Sequence, residues 1–362
     1  MKKINLILLI LVIMGTLFGS EIQFGSADST FVDGPYIMLE DSNLKIYNII
    51  DSTVTSKTIQ NEFPLTISIP YWEKDVVLES WDFPTPESNF PKADKIFAIS
   101  DIHGQHDRFE LLLKRGGVMD ENRNWIFGTG TMVVVGDIFD RGPQVTQNLW
   151  LTYILEQQAK QAGGSVHFTL GNHEMMIMRN DNRYIHENYL DKTEKLTGYS
   201  YNELHAENSF LGRWLLSKNT VIKIGDLLFN HAGLSAEMVD YTIPEINSFI
   251  KENYITDYET IKADEKLSLF FRSLGPLWYR GYFEDGKRYK RITDEQLSTV
   301  LTKFGVHKIV VGHTTMNGVG SLFDGKVIYV DGGIKYGNKG EAVIIEDNKT
   351  YRISVENIQE IR

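Results

Sequence analysis

The sequence of 362 residues contains no cysteine. That excludes disulfides, cysteine-ligated zinc and any thiolate nucleophile, and leaves His, Asp, Asn and Arg to carry chemistry. Positive charge is also scarce: 37 Lys and Arg face 48 Asp and Glu, a formal charge of −11. Neutralising nucleic-acid phosphates takes clustered basic residues, so no nucleic-acid partner is expected and any phosphate must be gripped locally. There is no internal repeat, no low-complexity tract and no Walker-type phosphate loop. The apolar run from Ile4 to Phe18 falls short of the roughly 20 residues that cross a bilayer.

What the first residues do have is the layout of a secretory signal: two lysines, that short apolar run, then small residues. A cut after Ser20 would put Phe18 at the third position upstream, whereas a cut after Ala27 has small residues at Gly25 and Ala27. Residues 1–27 are therefore read as a signal peptide, and the protein as exported to the periplasm or beyond, with no stable membrane span after cleavage. No cysteine lies near the cut to accept a lipid.

Residues 28–82 are rich in β-branched and aromatic side chains punctuated by turn formers, which predicts a small β-rich domain. Three of the nine prolines fall in "FPTPESNFPK", so 83–94 reads as a semi-rigid linker. Beyond it, residues 95–362 carry short apolar runs at 95–100, 131–136, 166–171, 227–233, 308–314 and 326–333. Several are separated by helix-length stretches such as 144–162, the pattern of buried strands in an α/β core. The helix-leaning segment 174–219, with its Tyr and Trp, reads as a cap over a site or as core.

Most of these runs stop at glycine beside Asp, His or Asn, and strand ends that release polar side chains into loops are where α/β proteins build sites. Five such places share one chemistry: "SDIHGQ" (100–105), "GDIFDRG" (136–142), "GNHE" (171–174), "NHAG" (230–233) and "GHTT" (312–315). Asp101 and His103 are two apart, so on an extended strand end both leave on one side and can grip one ion. Carboxylate plus imidazole suits a borderline divalent metal such as manganese, iron or zinc.

These motifs, in this order, resemble the calcineurin-like metallophosphoesterases of the phosphoprotein phosphatase type, and within them the bacterial Shewanella-like protein phosphatases and cold-active protein-tyrosine phosphatases. The resemblance spans about residues 95–335. It implies an α/β fold, a two-sheet β-sandwich flanked by helices, here preceded by the small β-rich domain. It further implies two divalent metal ions, one held by Asp101, His103 and Asp137, the other by Asp137, Asn172, His231 and His313. A shared carboxylate suits that division, because two cations ~3.5–4 Å apart repel unless an anion sits between them.

By the same resemblance, His173 is the general acid, Asp140 steadies its ring, and Arg141 and Arg280 grip phosphate through planar guanidinium donors. Taken alone, Asp140 also reads as a cap for the helix starting near Gln144, and Arg280 as a snorkelling helix residue. Ser100 stands where the family usually has glycine. His106, His167, His186, His205 and His307 lack motif context and read as structural or solvated, and Asp331 as a turn residue or a support behind His313.

The implied reaction is hydrolysis of a phosphorylated protein or peptide, at phosphotyrosine or phosphoserine/threonine, by a hydroxide bridging the metals. A nucleotide or dinucleoside-polyphosphate hydrolase shares the same motifs. A cell-surface binding protein, with phosphatase activity secondary or lost, is the reading from another class. Oligomeric state is not readable from these residues.

Overall fold

Runs of β-branched residues become strands, and their burial pattern sorts them into sheets. The computed structural model describes residues 31–361; the expected signal peptide at 1–27 lies outside the described residues. At the N-terminal side β1 (Asp33–Glu40), β2 (Asn43–Ile50) and β3 (Thr53–Gln60) form an antiparallel meander, followed by the hairpin of β4 (Leu65–Ile69) and β5 (Lys74–Leu78). Inside 83–94 the two-residue strand β6 (Asn89–Phe90) already belongs to a larger sheet.

The remaining strands are β7 (Lys95–Ile99), β8 (Thr131–Val135), β9 (Ser165–Thr169), β10 (Val221–Ile224), β11 (Leu227–Asn230) and β12 (Lys308–Val311). They continue with β13 (Gly320–Leu322), β14 (Val327–Tyr329), β15 (Glu341–Glu346), β16 (Lys349–Ser354) and β17 (Ile358–Ile361). Two six-stranded sheets result, ordered β17-β16-β15-β7-β8-β9 and β13-β14-β12-β11-β10-β6. The implied two-sheet sandwich is the observed architecture.

The period of two explains how the sheets meet. Ile96, Ala98, Val133, Val135, Val343 and Ile345 of one sheet share an apolar cluster with Ile222, Phe229, Val310 and Ile328 of the other. Their neighbours along the strands, such as Phe97, Ile99, Met132 and Val134, face the opposite way into the core formed with the helices. Strand β8 is buried over all five residues, as its unbroken apolar sequence requires.

The helices are α1 (His106–Arg115), α2 (Val145–Ala162), α3 (Asn172–Met178), α4 (Glu187–Thr197), α5 (Phe210–Leu216), α6 (Ile243–Asn253), α7 (Tyr258–Ala263), α8 (Glu265–Phe271) and α9 (Asp294–Phe304). Strands β7, β8 and β9 run parallel, and each leads into a helix, α1, α2 and α3 in turn. Their C-terminal ends therefore lie along one edge, which is where open α/β sheets build sites. No described helix is long and apolar enough to cross a membrane.

The N-terminal strands are tied to this framework. Trp150 Nε1 of α2 donates to Pro35 O at 3.0 Å, and Leu39 N of β1 donates to Asn208 O at 2.8 Å. His106, read as structural, stacks on Trp72 beside the β4–β5 hairpin and meets Asn148 at 2.9 Å and Glu110 at 3.1 Å. His167 lies against Phe90, with ring centroids 4.1 Å apart.

Candidate active site

The loops after β7 and β8 are laced together through main-chain bonds. Asp101 N donates to Gly136 O (3.1 Å), His103 N to Asp137 O (3.0 Å), and Gly142 N to His103 O (2.9 Å). This lacing bends the chain sharply: Asp101, His103, Asp137, Asp140 and Arg141 have φ between +47° and +71°, and His313, after β12, lies in the same range. Left-handed backbone costs an L-residue about 1–2 kcal/mol, so the fold holds six candidate site residues in strained conformations. Gly136, at φ +80°, cannot be replaced cheaply, because a Cβ there would lie 2.5 Å from His231 Nδ1.

Main-chain carbonyls orient the imidazoles. His103 Nδ1 lies 2.7 Å from Phe139 O and His231 Nδ1 lies 2.9 Å from Val135 O, so in each the other ring nitrogen faces inward. His103 Nε2 stands 3.7 Å from both Asp101 Oδ1 and Asp137 Oδ2. His231 Nε2 is 3.1 Å from Asp137 Oδ2 and 2.9 Å from Asn172 Oδ1. His313 is delivered from the end of β12: its N–H donates to Asp101 Oδ2 at 2.8 Å, and its Nε2 is buried without a partner.

Two donor groups converge here, His103 with Asp137 and His173, and Asp137 with His231 and His313, the donor atoms of each lying within 4.8 Å of one another. Asp137 belongs to both. Burial opposes its charge, yet the imidazoles of His231, His173 and His103 hold its carboxyl well below the usual carboxylate range. Burial likewise opposes charge on His231, but Asp137 and Asp101 push it up to about 9. The pocket calls for positive charge. Carboxylate, imidazole and amide oxygen around one buried unpartnered imidazole nitrogen fit a borderline divalent cation.

His173, next to Asn172, keeps Nε2 at the edge of this cluster, 3.9 Å from Asp137 Oδ2, and turns its other nitrogen away. Its Nδ1 pairs with Asp140 Oδ2 at 2.5 Å, and its backbone N–H donates to Asp137 Oδ1 at 3.0 Å. Burial disfavours charge on the ring, but Asp137 and Asp140 outweigh it and raise its pKa. The competing reading of Asp140 as a helix cap is not what the structure shows, since α2 begins after Gln144 with no side-chain cap.

Arg141 is exposed, with its guanidinium 5.1 Å from the ring centre of Tyr184, which in turn packs 5.3 Å from His173. Arg280 Nη1 donates to His313 O (2.9 Å) and Thr314 Oγ1 (3.1 Å), which fixes it at the site rather than on a solvated helix face. It shares a cavity of about 610 Å³ with Asn172, Met175, Arg179, Tyr258 and Trp278. Asp331 is buried near Asp101, accepting from Thr315 Oγ1 at 2.5 Å and from Gly333 N at 3.1 Å, so it both makes the turn and supports the "GHTT" loop.

Two residues were not assigned roles in the sequence. Glu174 is buried and accepts four backbone N–H groups, from Gly171 (2.7 Å), Asp137 (2.9 Å), Ile138 (2.8 Å) and Phe139 (3.3 Å). Burial and the Asp137 charge push its carboxyl up to about 7, against these donors. The available signal was its third position in α3, where a glutamate reaches back to the residue before the helix. Ser100 does more than leave room: its hydroxyl lies 2.6 Å from Asp101 Oδ2 and 2.7 Å from Val135 O.

Comparison with known families decides what this centre belongs to. Residues 94–316 match the calcineurin-like phosphoesterase model. The chain belongs to the calcineurin-like phosphoesterase family. The phosphoesterase is 31% identical over 268 residues to an uncharacterised protein of Schizosaccharomyces pombe, covering 69% of this chain and 76% of that one. It is 24% identical to Shewanella-like protein phosphatase 2 of Arabidopsis thaliana, covering 69% and 74% of the two chains. Its fold is similar to the crystal structure of the cold-active protein-tyrosine phosphatase of a psychrophilic Shewanella species, with 38% identity, TM-score 0.84, and 92% and 100% of the two chains covered. The phosphoesterase is a metal-dependent phosphatase.

Proposed function

We propose that this phosphoesterase hydrolyses phosphate monoesters of phosphoproteins, with phosphotyrosine favoured, at a centre for two divalent cations. Asp101, His103 and Asp137 would hold one cation, and Asp137, Asn172, His231 and His313 the other; manganese, iron and zinc suit the donors. Bound there, the cations supply Lewis-acid polarisation and make water a nucleophile near neutral pH. The observation that carries the reading is the His173–Asp140 pair, held 2.5 Å apart beside a carboxylate common to two donor groups.

The protein's own residues then divide the work. Asp140 fixes the His173 ring so that Nε2 can deliver a proton to the departing oxygen. Arg141 and Arg280 stand on the outer side to hold the phosphoryl oxygens as their negative charge spreads. The cavity beside Arg280 offers Tyr258 and Trp278 to the remainder of the substrate. Similarity to a tyrosine phosphatase supports phosphotyrosine. The signal-like N-terminus supports export.

Elemental analysis coupled to a substrate panel tests this. Two metals per chain and a higher kcat/KM for phosphotyrosine peptide than for phosphoserine peptide, nucleotides or diadenosine tetraphosphate are expected. A clear nucleotide preference would replace the phosphoprotein reading.

A further inference from the structure

Asp140 uses one carboxylate oxygen to hold His173; its other oxygen, Oδ1, is fully buried and has no partner. Two more unpartnered polar atoms are buried close by, the hydroxyl of Tyr201 and Nε2 of His205, in side chains that are 3% and 2% exposed. The rings converge on Phe139, the residue before Asp140: Phe139 to His205 is 5.0 Å, Phe139 to Tyr201 is 6.4 Å, and Tyr201 to His205 is 4.6 Å.

His205 Nδ1 lies 2.9 Å from Tyr201 O, and a carbonyl can only accept, so Nδ1 carries the hydrogen. Burial lowers the His205 pKa to about 4, so the ring is neutral and Nε2 is an acceptor. Asp140 Oδ1 is a second acceptor. Tyr201 offers one hydroxyl hydrogen, and it lies within hydrogen-bond distance of neither acceptor. A buried polar atom left unpaired is costly, and a water brings the two missing donors. Burial, then the charges of Tyr189, Asp140 and Asp33, keep the Tyr201 hydroxyl protonated.

We infer that Tyr201 and His205 are positioning residues, holding Asp140 Oδ1 through a buried water so that Asp140 keeps the His173 ring aimed at the leaving oxygen. The inference rests on His173 being the proton donor. It gives the 200–209 segment, which bridges to β1 through Ser209 and Met38, a part in proton transfer without touching substrate.

The test is Tyr201→Phe in the metal-loaded full chain, assayed on aryl phosphates of increasing leaving-group pKa, with metal content measured alongside. Metal content should stay the same. Turnover should fall about tenfold for poor leaving groups, the lower end of losses seen for outer ligand supports, and stay unchanged for dinitrophenyl phosphate. The effect should vanish in an Asp140→Asn background, since the two residues would act as one unit. His205→Leu, which keeps the bulk and removes the acceptor, should act in the same direction. Equal slowing of all substrates, or a Tyr201→Phe effect that persists in Asp140→Asn, overturns the inference. A flat leaving-group profile for His173→Asn would instead remove the proton-donor reading, and the Tyr201–Asp140 coupling in kcat still decides the inference.

Discussion

Glu174→Gln is the sharpest probe of how the site is held. In the folded chain one carboxylate oxygen accepts from Gly171 and Asp137, the other from Ile138 and Phe139. The amide keeps one acceptor oxygen and turns the other into an NH2, which then faces two buried N–H donors. Each loses its partner at a cost of about 1–3 kcal/mol, so the substitution should destabilise by about 2–6 kcal/mol. Because three of the four donors belong to the loop carrying Asp137, the same change should weaken metal binding. Urea unfolding at pH 8, above the Glu174 pKa of about 7, with chelator present so that bound metal does not mask the loss, measures the first effect. Elemental analysis of dialysed protein measures the second. A stability change within about 0.5 kcal/mol, the range of ordinary surface substitutions, together with full metal content, would refute the clamp.

Asp137→Asn should strip metal along with activity, and two metals per chain retained by elemental analysis would contradict its shared position. His173→Asn should keep its metal while slowing poor leaving groups by roughly 10²–10⁴ and para-nitrophenyl phosphate far less, as loss of a general acid requires; equal slowing across a leaving-group series counts against it. Burial pushes the Asp33 carboxyl up to about 7, with Tyr36 donating to it. Its folded pKa being raised, its contribution is complete below pH ~4 and is lost as pH rises through 7, so Asp33→Asn should flatten stability between pH 5 and 8; an unchanged slope in urea midpoints would rule this out.

The candidate site was legible because its residues sit in contiguous motifs at strand ends, where glycine and a polar residue interrupt an apolar run. Strands β7, β8, β11, β12 and β14 each lie within an expected run, and β9 begins one residue before its own. Strand β10 went unread because it joins β11 through the tight Gly225-Asp226 turn, so only "LLFNHAG" stood out. Strand β15 is a four-residue apolar run between glutamates, β16 and β17 mix apolar with polar residues, as in "KTYRIS", and none carries a site motif. Glu174 and Tyr201 escaped for another reason: Glu174 meets backbone donors of the Asp137 loop and Tyr201 a cluster around Phe139, both far away in sequence. The β-rich N-terminal segment looked separable in composition, yet it is bonded to Trp150 and bridged to Ser209, more than a hundred residues away.

The left-handed residues at the strand ends bear on engineering. Selection for heat resistance alone would be expected to favour glycine or asparagine at Asp101, His103, Asp140, Arg141 or His313, because these relax the backbone where the chemistry is built. Variants from such a screen would melt later and catalyse less. Coupling the screen to turnover would instead drive stabilising changes into the sandwich interior and the helix caps, and leave the bent loops as they are.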